Sequence, residues 1–416
     1  MRSWPTASVR RSDARCARCC LLAGLAFAGA AQAQDFQLHG YADARFVAAP
    51  DDASWTQGGL GKTRYGGGDD TARVGGAAVV ASWHPAPAWL AVADLRYEPQ
   101  ADSTFALVEA YLRYRPVSTD AWRWSFKLGE FFPPISLETD GVAWTSIWTI
   151  APSAVNTWVG EELRVVGGEA RLEHRGEINT FEGGAAVFAA NDPLGEILAA
   201  RGWAIGDLVS GFGSHLREPD NYANNIGSTP PRRYDPFLEI DHRVGAYADL
   251  TWRSAEFGRA TLLYYDNRAD PSEYHTFNQG DHLFAWRTKF TSIGATTDVG
   301  RLVLIAQGIA GTTEIAPPGF RGEAHFAAGY VLAGWNLGAW RPAVRVDAFM
   351  TRQDPASPAS EHGNAVTLAL NWRPLDWLRL TGEALRIDST TDQRRAIGLA
   401  TRQIDTQVMF NARLLF

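Results

Sequence analysis

Charged side chains recur at every second position in three successive segments, which is the spacing that places them on one face of a β-strand. They are Glu109, Tyr111, Arg113 and Arg115 in the first segment, Arg123, Ser125 and Lys127 in the second, and Glu169, Arg171, Glu173 and Arg175 in the third. If the segments pair in order, arginines stack down one wall of a sheet beside a few carboxylates. Such a pore-lining wall predicts passage of anionic or polar solutes, because charged side chains tune permeation in channels. A salt-bridge network that satisfies itself and fills the interior is the other interpretation of the same residues.

The segments that carry these charges alternate between polar and apolar residues. In Phe105–Arg115 the charged face lies opposite Ala106, Val108, Ala110 and Leu112. Phe36–Ala48 repeats the pattern, and its apolar face holds Phe36, Leu38, Ala42, Ala44 and Phe46. About ten residues of alternating polarity are what a tilted strand needs to cross a bilayer, with one face toward lipid and the other toward a lumen. The sequence therefore predicts an all-β fold, a transmembrane antiparallel β-barrel.

The connections between these segments are short and long in turn. Short ones lie near 84–88, 116–121, 176–179, 254–258, 298–301, 338–339 and 374–376, and long ones span 49–72, 132–162, 191–242, 267–281, 312–323 and 352–362. Short periplasmic turns and longer extracellular loops are typical of outer-membrane barrels. Aromatic residues flank the short turns, which indicates a girdle at the membrane interface. The pattern gives about 16 strands, and the weak alternation from 387 to 404 leaves counts of 14 or 18 open.

Residues 1–33 have the features of a signal peptide: an arginine-rich start, a short apolar stretch and the small residues Ala31 and Ala33 ahead of a cleavage site. We expect the barrel to occupy residues 34–416. All three cysteines fall in the signal, so the remaining chain has no disulfide and no cysteine-ligated metal. Its formal charge is about −11, which gives no support for nucleic-acid binding. No motif predicts a cofactor or a metal site.

The last strand alternates up to a C-terminal aromatic, Phe416, and resembles the closing strand that the barrel-insertion machinery reads in bacterial outer-membrane proteins. Gly129–Glu138 resembles the G-x-F-x-P-P-x-x-x-E stretch of the phosphate-selective porin O/P family. That resemblance implies a trimeric, 16-stranded channel surrounded by outer-membrane lipid and lipopolysaccharide. Channels of that family depend on lysine and arginine at the constriction, whereas this chain has only Lys62, Lys127 and Lys289 as lysines.

Two long loops could narrow such a pore. In 191–242, Asp192 and Pro193 predict the start of a short helix, and we expect this loop to fold inward. In 132–162, Trp144, Ile147, Trp148 and Trp158 predict packing against the wall, with an aromatic track for sugar rings as the alternative.

Two other functions remain open beside a passive channel for small hydrophilic solutes. A hydrolase at the extracellular rim would need an acidic pair facing an Asp-His pair; the residues that could supply them are Asp51, Asp52, Asp69, Asp70, Asp241, His242, Asp281 and His282. Adjacent strand residues point to opposite faces, and no G-x-S-x-G or H-E-x-x-H motif is present, so the sequence favours a protein that is not an enzyme. A barrel that serves as an adhesin or structural anchor, and conducts nothing, is the third possibility.

Overall fold

The computed structural model describes residues 36–68, 70–101, 103–220, 231–278 and 281–416. Within these ranges, sixteen long strands form one closed barrel. The barrel strands are β1 (Phe36–Ala48), β2 (Thr71–Ala86), β3 (Trp89–Tyr97), β4 (Phe105–Tyr114), β5 (Trp122–Phe131), β6 (Val165–Arg175), β7 (Asn179–Ala189), β10 (Gly245–Ser254), β11 (Gly258–Asp266), β14 (Arg287–Val299), β15 (Leu302–Ile315), β16 (Gly322–Trp335), β17 (Trp340–Asp354), β18 (Glu361–Leu375), β19 (Leu378–Thr391) and β20 (Arg402–Leu415). The signal-peptide prediction lies outside the described residues.

Shorter elements lie in the loops. They are the strands β8 (Leu216–Arg217), β9 (Arg233–Tyr234), β12 (Tyr274–Asn278) and β13 (Asp281–Phe284), the helices α1 (Ala154–Glu162) and α2 (Glu196–Ala200), and the 3-10 helices Trp55–Gln57 and Asp392–Ile397. None of the helices in the described ranges is long and apolar enough to cross a membrane.

Every barrel strand pairs antiparallel with its neighbours, and β1 pairs with β20 to close the ring. The count of 16 is therefore confirmed. The stretch 387–404, where the alternation weakened, holds the end of β19, the 3-10 helix and the start of β20. Short turns alternate with long loops around the barrel, so by the usual asymmetry of these proteins the long loops are extracellular.

Apolar side chains cover the outside of the wall. On β1, Phe36, Leu38 and Phe46 are exposed on the outer face, while Asp43 and Arg45 are buried inside. Tryptophans near the short turns also face outward, and the rings of Trp340 and Trp372 stack 5.2 Å apart on neighbouring strands. An aromatic ring with an apolar face and a polar edge is suited to this headgroup level.

The predicted alternation is wrong at one place on β4. Ala106 and Val108 are buried inside the barrel rather than turned to lipid. The register between β3 and β4 shifts at this point, because Asp94 pairs with Glu109 and the next residue, Leu95, pairs with Leu107. One extra residue in a strand reverses the inward and outward positions on either side of it.

The lumen contains a hydrophobic core made by inward-folded loops. All nine residues of α1 are buried, and the ring of Trp158 packs against Phe290 on β14 and Phe326 on β16 at 5.5 and 5.4 Å. Trp203 adds its ring to the same cluster and donates its indole N–H to the carbonyl of Met350 on β17. These contacts confirm the packing expected of 132–162 and, for residues 190–212, the inward folding expected of the other loop. We call residues 132–164 and 190–212, with the first loop 49–68, the loop plug.

The loop plug also completes the wall itself. The pairing of β4 with β5 stops at Ala110 and Glu130, so the extracellular part of β4 lacks a partner on its β5 side. The backbone N–H of Phe212 donates to the carbonyl of Leu107 at 2.8 Å instead. A Cβ on Gly211 would lie 2.2 Å from that carbonyl oxygen, so only glycine allows this close approach. Backbone polar groups at membrane depth must find partners inside the protein, and here a loop supplies one.

Candidate functional site

The charged wall begins with three strands that pair in the expected order. Arg113 on β4 lies opposite Lys127 on β5, and Lys127 lies opposite Glu169 on β6. Arg123 lies opposite Glu173 near the periplasmic ends of the same strands. The side chains of neighbouring residues on one face come within reach of each other, so the sequence pattern becomes a contiguous charged surface.

A cavity of about 370 Å³ opens against this surface. Eight of the ten predicted pore-lining residues line it: Tyr111, Arg113, Arg115, Arg123, Lys127, Glu169, Arg171 and Glu173. Glu109 lies above the cavity, beneath the loop plug, where it accepts the backbone N–H of Phe132 at 3.1 Å. Arg175 lies beside the cavity and pairs with Glu173 at 3.4 Å.

Part of the wall is a salt-bridge network in which the charges satisfy one another, which was the second interpretation of the sequence. Arg171 is its centre, because its guanidinium contacts Asp249 at 2.6 Å, Glu182 at 2.5 Å and Glu169 at 3.0 Å. Glu169 also accepts from Lys127 at 3.1 Å and from the Tyr247 hydroxyl at 2.5 Å. A guanidinium that meets three carboxylates has little attraction left for a solute.

The periplasmic end of the wall differs, since its arginines outnumber its carboxylates. Among the described residues, Arg113 and Arg115 form no ion pair, and both side chains line the cavity. Arg123 reaches Glu173 only at 3.9 Å. These guanidinium groups remain available to a passing anion.

Sequence analysis missed the far side of this cavity. Glu182 on β7, Asp249 and Arg253 on β10, and Arg259 on β11 continue the charged surface. Arg253 pairs with Glu182 at 2.7 Å. The signal was present in the sequence, because Asp249, Thr251 and Arg253 alternate with apolar residues as the earlier segments do.

Buried ionic bonds hold the loop plug inside the lumen. Asp207 accepts from Arg45 on β1 at 2.9 Å and from Arg64 at 2.9 Å. Burial alone would raise the pKa of Asp207, but the two guanidinium groups outweigh it and hold that pKa below its usual value. Four strands away from β1, Arg345 of β17 binds Asp347 at 2.8 Å and the carbonyl of Ala151 at 2.8 Å.

Arg164 joins the two long loops. It donates to the carbonyls of Leu163 and Ser210 at 2.6 Å each, and to those of Val108, Val159 and Gly160 at 3.1 to 3.3 Å. Two of these carbonyls belong to α1, so the cation also satisfies orphan groups at a helix C-terminus. Its guanidinium lies 3.3 Å from the centre of the Phe132 ring, and Phe132 stacks on Trp144 at 4.4 Å. Trp144 is therefore engaged in packing, rather than in the aromatic track considered from the sequence.

Buried carboxyl groups accumulate where the long loops meet. Glu162 accepts from the Trp158 indole and the Tyr234 hydroxyl at 2.6 Å each, and burial raises its pKa. Burial raises the pKa of Glu196 to about 7, although its carboxyl accepts from the Trp286 indole. Both oxygens of Glu218 are buried without a hydrogen-bond partner among the described residues, and burial raises its pKa well above the usual value. Burial therefore favours the protonated forms of Glu196 and Glu218 in the folded protein.

Of the residues that suggested a rim hydrolase, the described Asp241 and His282 take part in loop contacts. Asp241 accepts backbone N–H groups of Arg243 and Asp270, and the His282 ring packs on Tyr274 at 4.5 Å. Asp69 lies outside the described residues. An exposed contact of 3.1 Å joins Ser103 Oγ to His215 Nδ1, two residues that the sequence did not nominate together.

One carboxylate group in the described part of the chain has the spacing of a cation site. The oxygens of Asp192, Glu239 and Asp241 lie within 4.8 Å of one another. They already accept loop backbone N–H groups, with Asp192 bound to Ile240 at 2.5 Å and Glu239 to Ala190 at 2.6 Å. These hydrogen bonds explain the cluster as a tie between loop segments.

Comparison with known proteins supports the architecture. No protein-family model matches the chain, and no curated protein matches it either. Its fold is similar to that of Salmonella typhi OmpF in complex with daunomycin, with a TM-score of 0.51 and 13% identity over 92% of this chain and 97% of that one. It is also similar to a loop L8 deletion mutant of OmpT, an outer membrane protein of Vibrio cholerae, with a TM-score of 0.50 and 10% identity over 92% and 99%.

The closed barrel and these similarities define the chain as an outer-membrane β-barrel located in the outer membrane. At identities this low, they establish the fold alone. The resemblance to the phosphate-selective porin O/P family stays a prediction, as do the trimer and the contact with the insertion machinery.

Proposed function

We propose that the protein is a porin-like passive channel for small hydrophilic solutes. Barrels of this strand number are wide enough to enclose an aqueous path. The observation that carries the proposal is the charged cavity, where Arg113 and Arg115 face the lumen with no carboxylate partner among the described residues. A buried salt-bridge network needs no surplus of one charge, whereas a path for anionic or polar solutes does.

The loop plug supplies the constriction in this proposal. It packs against β14 to β19 and also bonds to the extracellular end of β4, above the charged cavity on β4 to β11. Solutes would pass beside the plug along the charged wall, where the low dielectric of the packed loops strengthens each charge interaction. The formal acidity of the chain would then matter less than the local arginines.

Single-channel recording in a planar bilayer under a salt gradient tests the proposal. We expect stepwise conductance from the wild type and a lower anion-to-cation permeability ratio after Arg113→Ala combined with Arg115→Ala. Arg352→Ala is the matched control, because that arginine is exposed near the extracellular end of β17. An unchanged ratio in the double variant would remove the two arginines from the path.

A non-conducting barrel that serves as an adhesin or anchor is the second candidate. One observation favours it, namely that the buried loop plug bonds to β1, to β4 and to β17. Such a barrel would insert into the bilayer and carry no current. Correctly inserted but silent protein in the same recording would support this candidate against the channel.

A further inference from the structure

A second cavity opens at the periplasmic end of the barrel, across the lumen from the charged wall. It measures about 970 Å³ and is bounded by the periplasmic ends of β17 to β20 and by the part of the loop 132–164 near Asp140. We call it the mouth pocket. Its size is that of a small-ligand site. Nothing in the sequence patterns had singled it out.

Four neighbouring strands contribute one arginine each to the mouth pocket. They are Arg341 on β17, Arg373 on β18, Arg379 on β19 and Arg413 on β20. Arg379 lies directly opposite Arg413 in the strand pairing. Like charges placed opposite each other across a strand pair are destabilising. An arrangement that costs stability needs compensation from neighbouring carboxylates or from a bound anion.

Neighbouring groups compensate two of the four arginines. Arg413 forms a two-point contact with Asp43, at 2.7 and 2.6 Å. Arg373 donates to the backbone carbonyl of Asp376 at 2.7 Å and lies 3.7 Å from its carboxylate. The two-point contact fixes the buried Arg413 guanidinium, whereas the Arg373 pair is exposed and weaker.

The other two arginines have no such compensation. Among the described residues, Arg341 and Arg379 form no ion pair, and the buried Nε of Arg379 has no hydrogen-bond partner. The charged groups that act on Arg379 include three arginines and only one aspartate, which is the Asp43 already bound by Arg413. The positive potential is therefore concentrated between Arg341 and Arg379.

We propose that the mouth pocket binds small solutes that carry two or more carboxylate or phosphate groups. Planar guanidinium groups match the geometry of both anions and hold them by two parallel hydrogen bonds. Two uncompensated arginines accommodate two anionic groups of one solute. Asp140 also lines the pocket and reduces the net attraction for a single charge. That the bound solute then crosses the membrane rests on the proposed channel function, whereas the binding does not.

Isothermal titration of the folded barrel in zwitterionic detergent tests this site, with citrate and inorganic pyrophosphate as probes. Acetate and sucrose serve as monovalent and neutral comparisons at the same ionic strength. We expect citrate or pyrophosphate to bind, and acetate and sucrose to give no measurable heat. Arg379→Gln should weaken binding by about tenfold or more, since hydrogen bonds to charged groups are lost.

Two further variants keep the test decisive. Arg341→Gln should weaken binding by a similar factor, and it replaces Arg379→Gln if that variant does not fold by circular dichroism. Arg352→Gln removes an arginine from the same strand as Arg341 but near the extracellular end, and should bind as the wild type does. Equal binding of acetate and citrate, or unchanged binding in both pocket variants, would overturn the proposal.

The bilayer recording separates this result from the channel proposal. Citrate binding by a barrel that carries no current would contradict the channel and leave the mouth pocket supported. Conductance by a barrel that binds neither citrate nor pyrophosphate would contradict the mouth pocket alone.

Discussion

The two halves of the lumen use the same residue type in opposite ways. From the extracellular end to mid-depth, the arginines are buried and bonded to carboxylates or loop carbonyls; they are Arg45, Arg64, Arg164 and Arg345. In the periplasmic half, several line cavities without a carboxylate partner among the described residues; they are Arg113, Arg115, Arg341 and Arg379. The two groups of arginines differ in whether a loop reaches the strand that carries them. Where loop carbonyls and carboxylates reach into the lumen, they bond to the guanidinium and bury it in the packed interior.

The difference has a clear energetic basis. A buried charge without partners is expensive, so the extracellular half is stable only as a complete set of bonds. Arginines that line a cavity without a carboxylate partner face the lumen, where a solute can supply the missing contact. Substitutions should therefore affect folding in the first half and solute interaction in the second.

The largest effect is expected from Asp207→Asn, because it leaves two buried guanidinium groups short of their shared carboxylate. We expect a loss of about 3–5 kcal/mol in the free energy of unfolding. Denaturant titration in detergent, followed by tryptophan fluorescence, measures it. Asp220→Asn is the control on the same loop, since Asp220 pairs with the partly exposed Arg217 and should change stability by less than about 0.5 kcal/mol. Equal losses from both variants would refute the distinction.

A smaller effect should follow from pH. The pKa of Glu196 is about 7 in the folded protein, raised by burial from a usual value of 4.5. The protonated form is favoured by folding, so its contribution is complete below pH 4.5 and is lost as pH rises through about 7. We expect the wild type to lose roughly 2 kcal/mol of stability between pH 5 and 8, with Glu218 acting in the same direction.

Two variants isolate this effect in the same denaturant titration. Glu196→Gln should flatten the pH dependence, because the amide can still accept the Trp286 indole N–H without ionising. Glu256→Gln, in an exposed turn, should leave it unchanged. A Glu196→Gln variant with the full wild-type slope would show that this carboxyl does not control the loop junction.

The smallest effect on folding is expected from Arg115→Gln. Arg115 lines the cavity beside the charged wall and forms no ion pair among the described residues. Its loss should change the free energy of unfolding by less than about 0.5 kcal/mol. The same titration measures it beside Arg345→Gln, which removes hydrogen bonds to Ala151 and Pro152. A large loss from Arg115→Gln would mean that the periplasmic arginines are structural as well.

Most of the barrel could be predicted from the sequence, because period-two alternation and turn lengths are local properties. The same local rule failed on β4, where the extra residue near Val108 shifts the register without any glycine or proline to mark it. The charged wall was predictable for the same reason as the strands. Its continuation at Asp249 and Arg253 carried an equal signal and was missed.

For the loop plug, the sequence predicted only that long loops pack inward. A helix-start signal and tryptophans indicated inward packing, and both features are local. The partners of that packing are not, because Asp207 meets an arginine 162 positions away and Arg345 meets a carbonyl 194 positions away. Single-sequence reasoning has no access to such pairs, and the uncompensated arginines of the mouth pocket can be recognised only once those pairs are known.

The junction between the first and last strands has a consequence for how the wall resists rupture. Along β1 and β20, Arg45 donates to Asn411 at 3.1 Å, and the first loop adds a bond from the Lys62 backbone N–H to Asp405 at 2.8 Å. Arg413 binds Asp43 across the same junction. A sideways force that separates the two strands must break these lumen bonds together with the backbone ladder. The first and last strands are therefore fastened from the inside, and lateral escape of a solute into lipid is obstructed where these two strands close the ring.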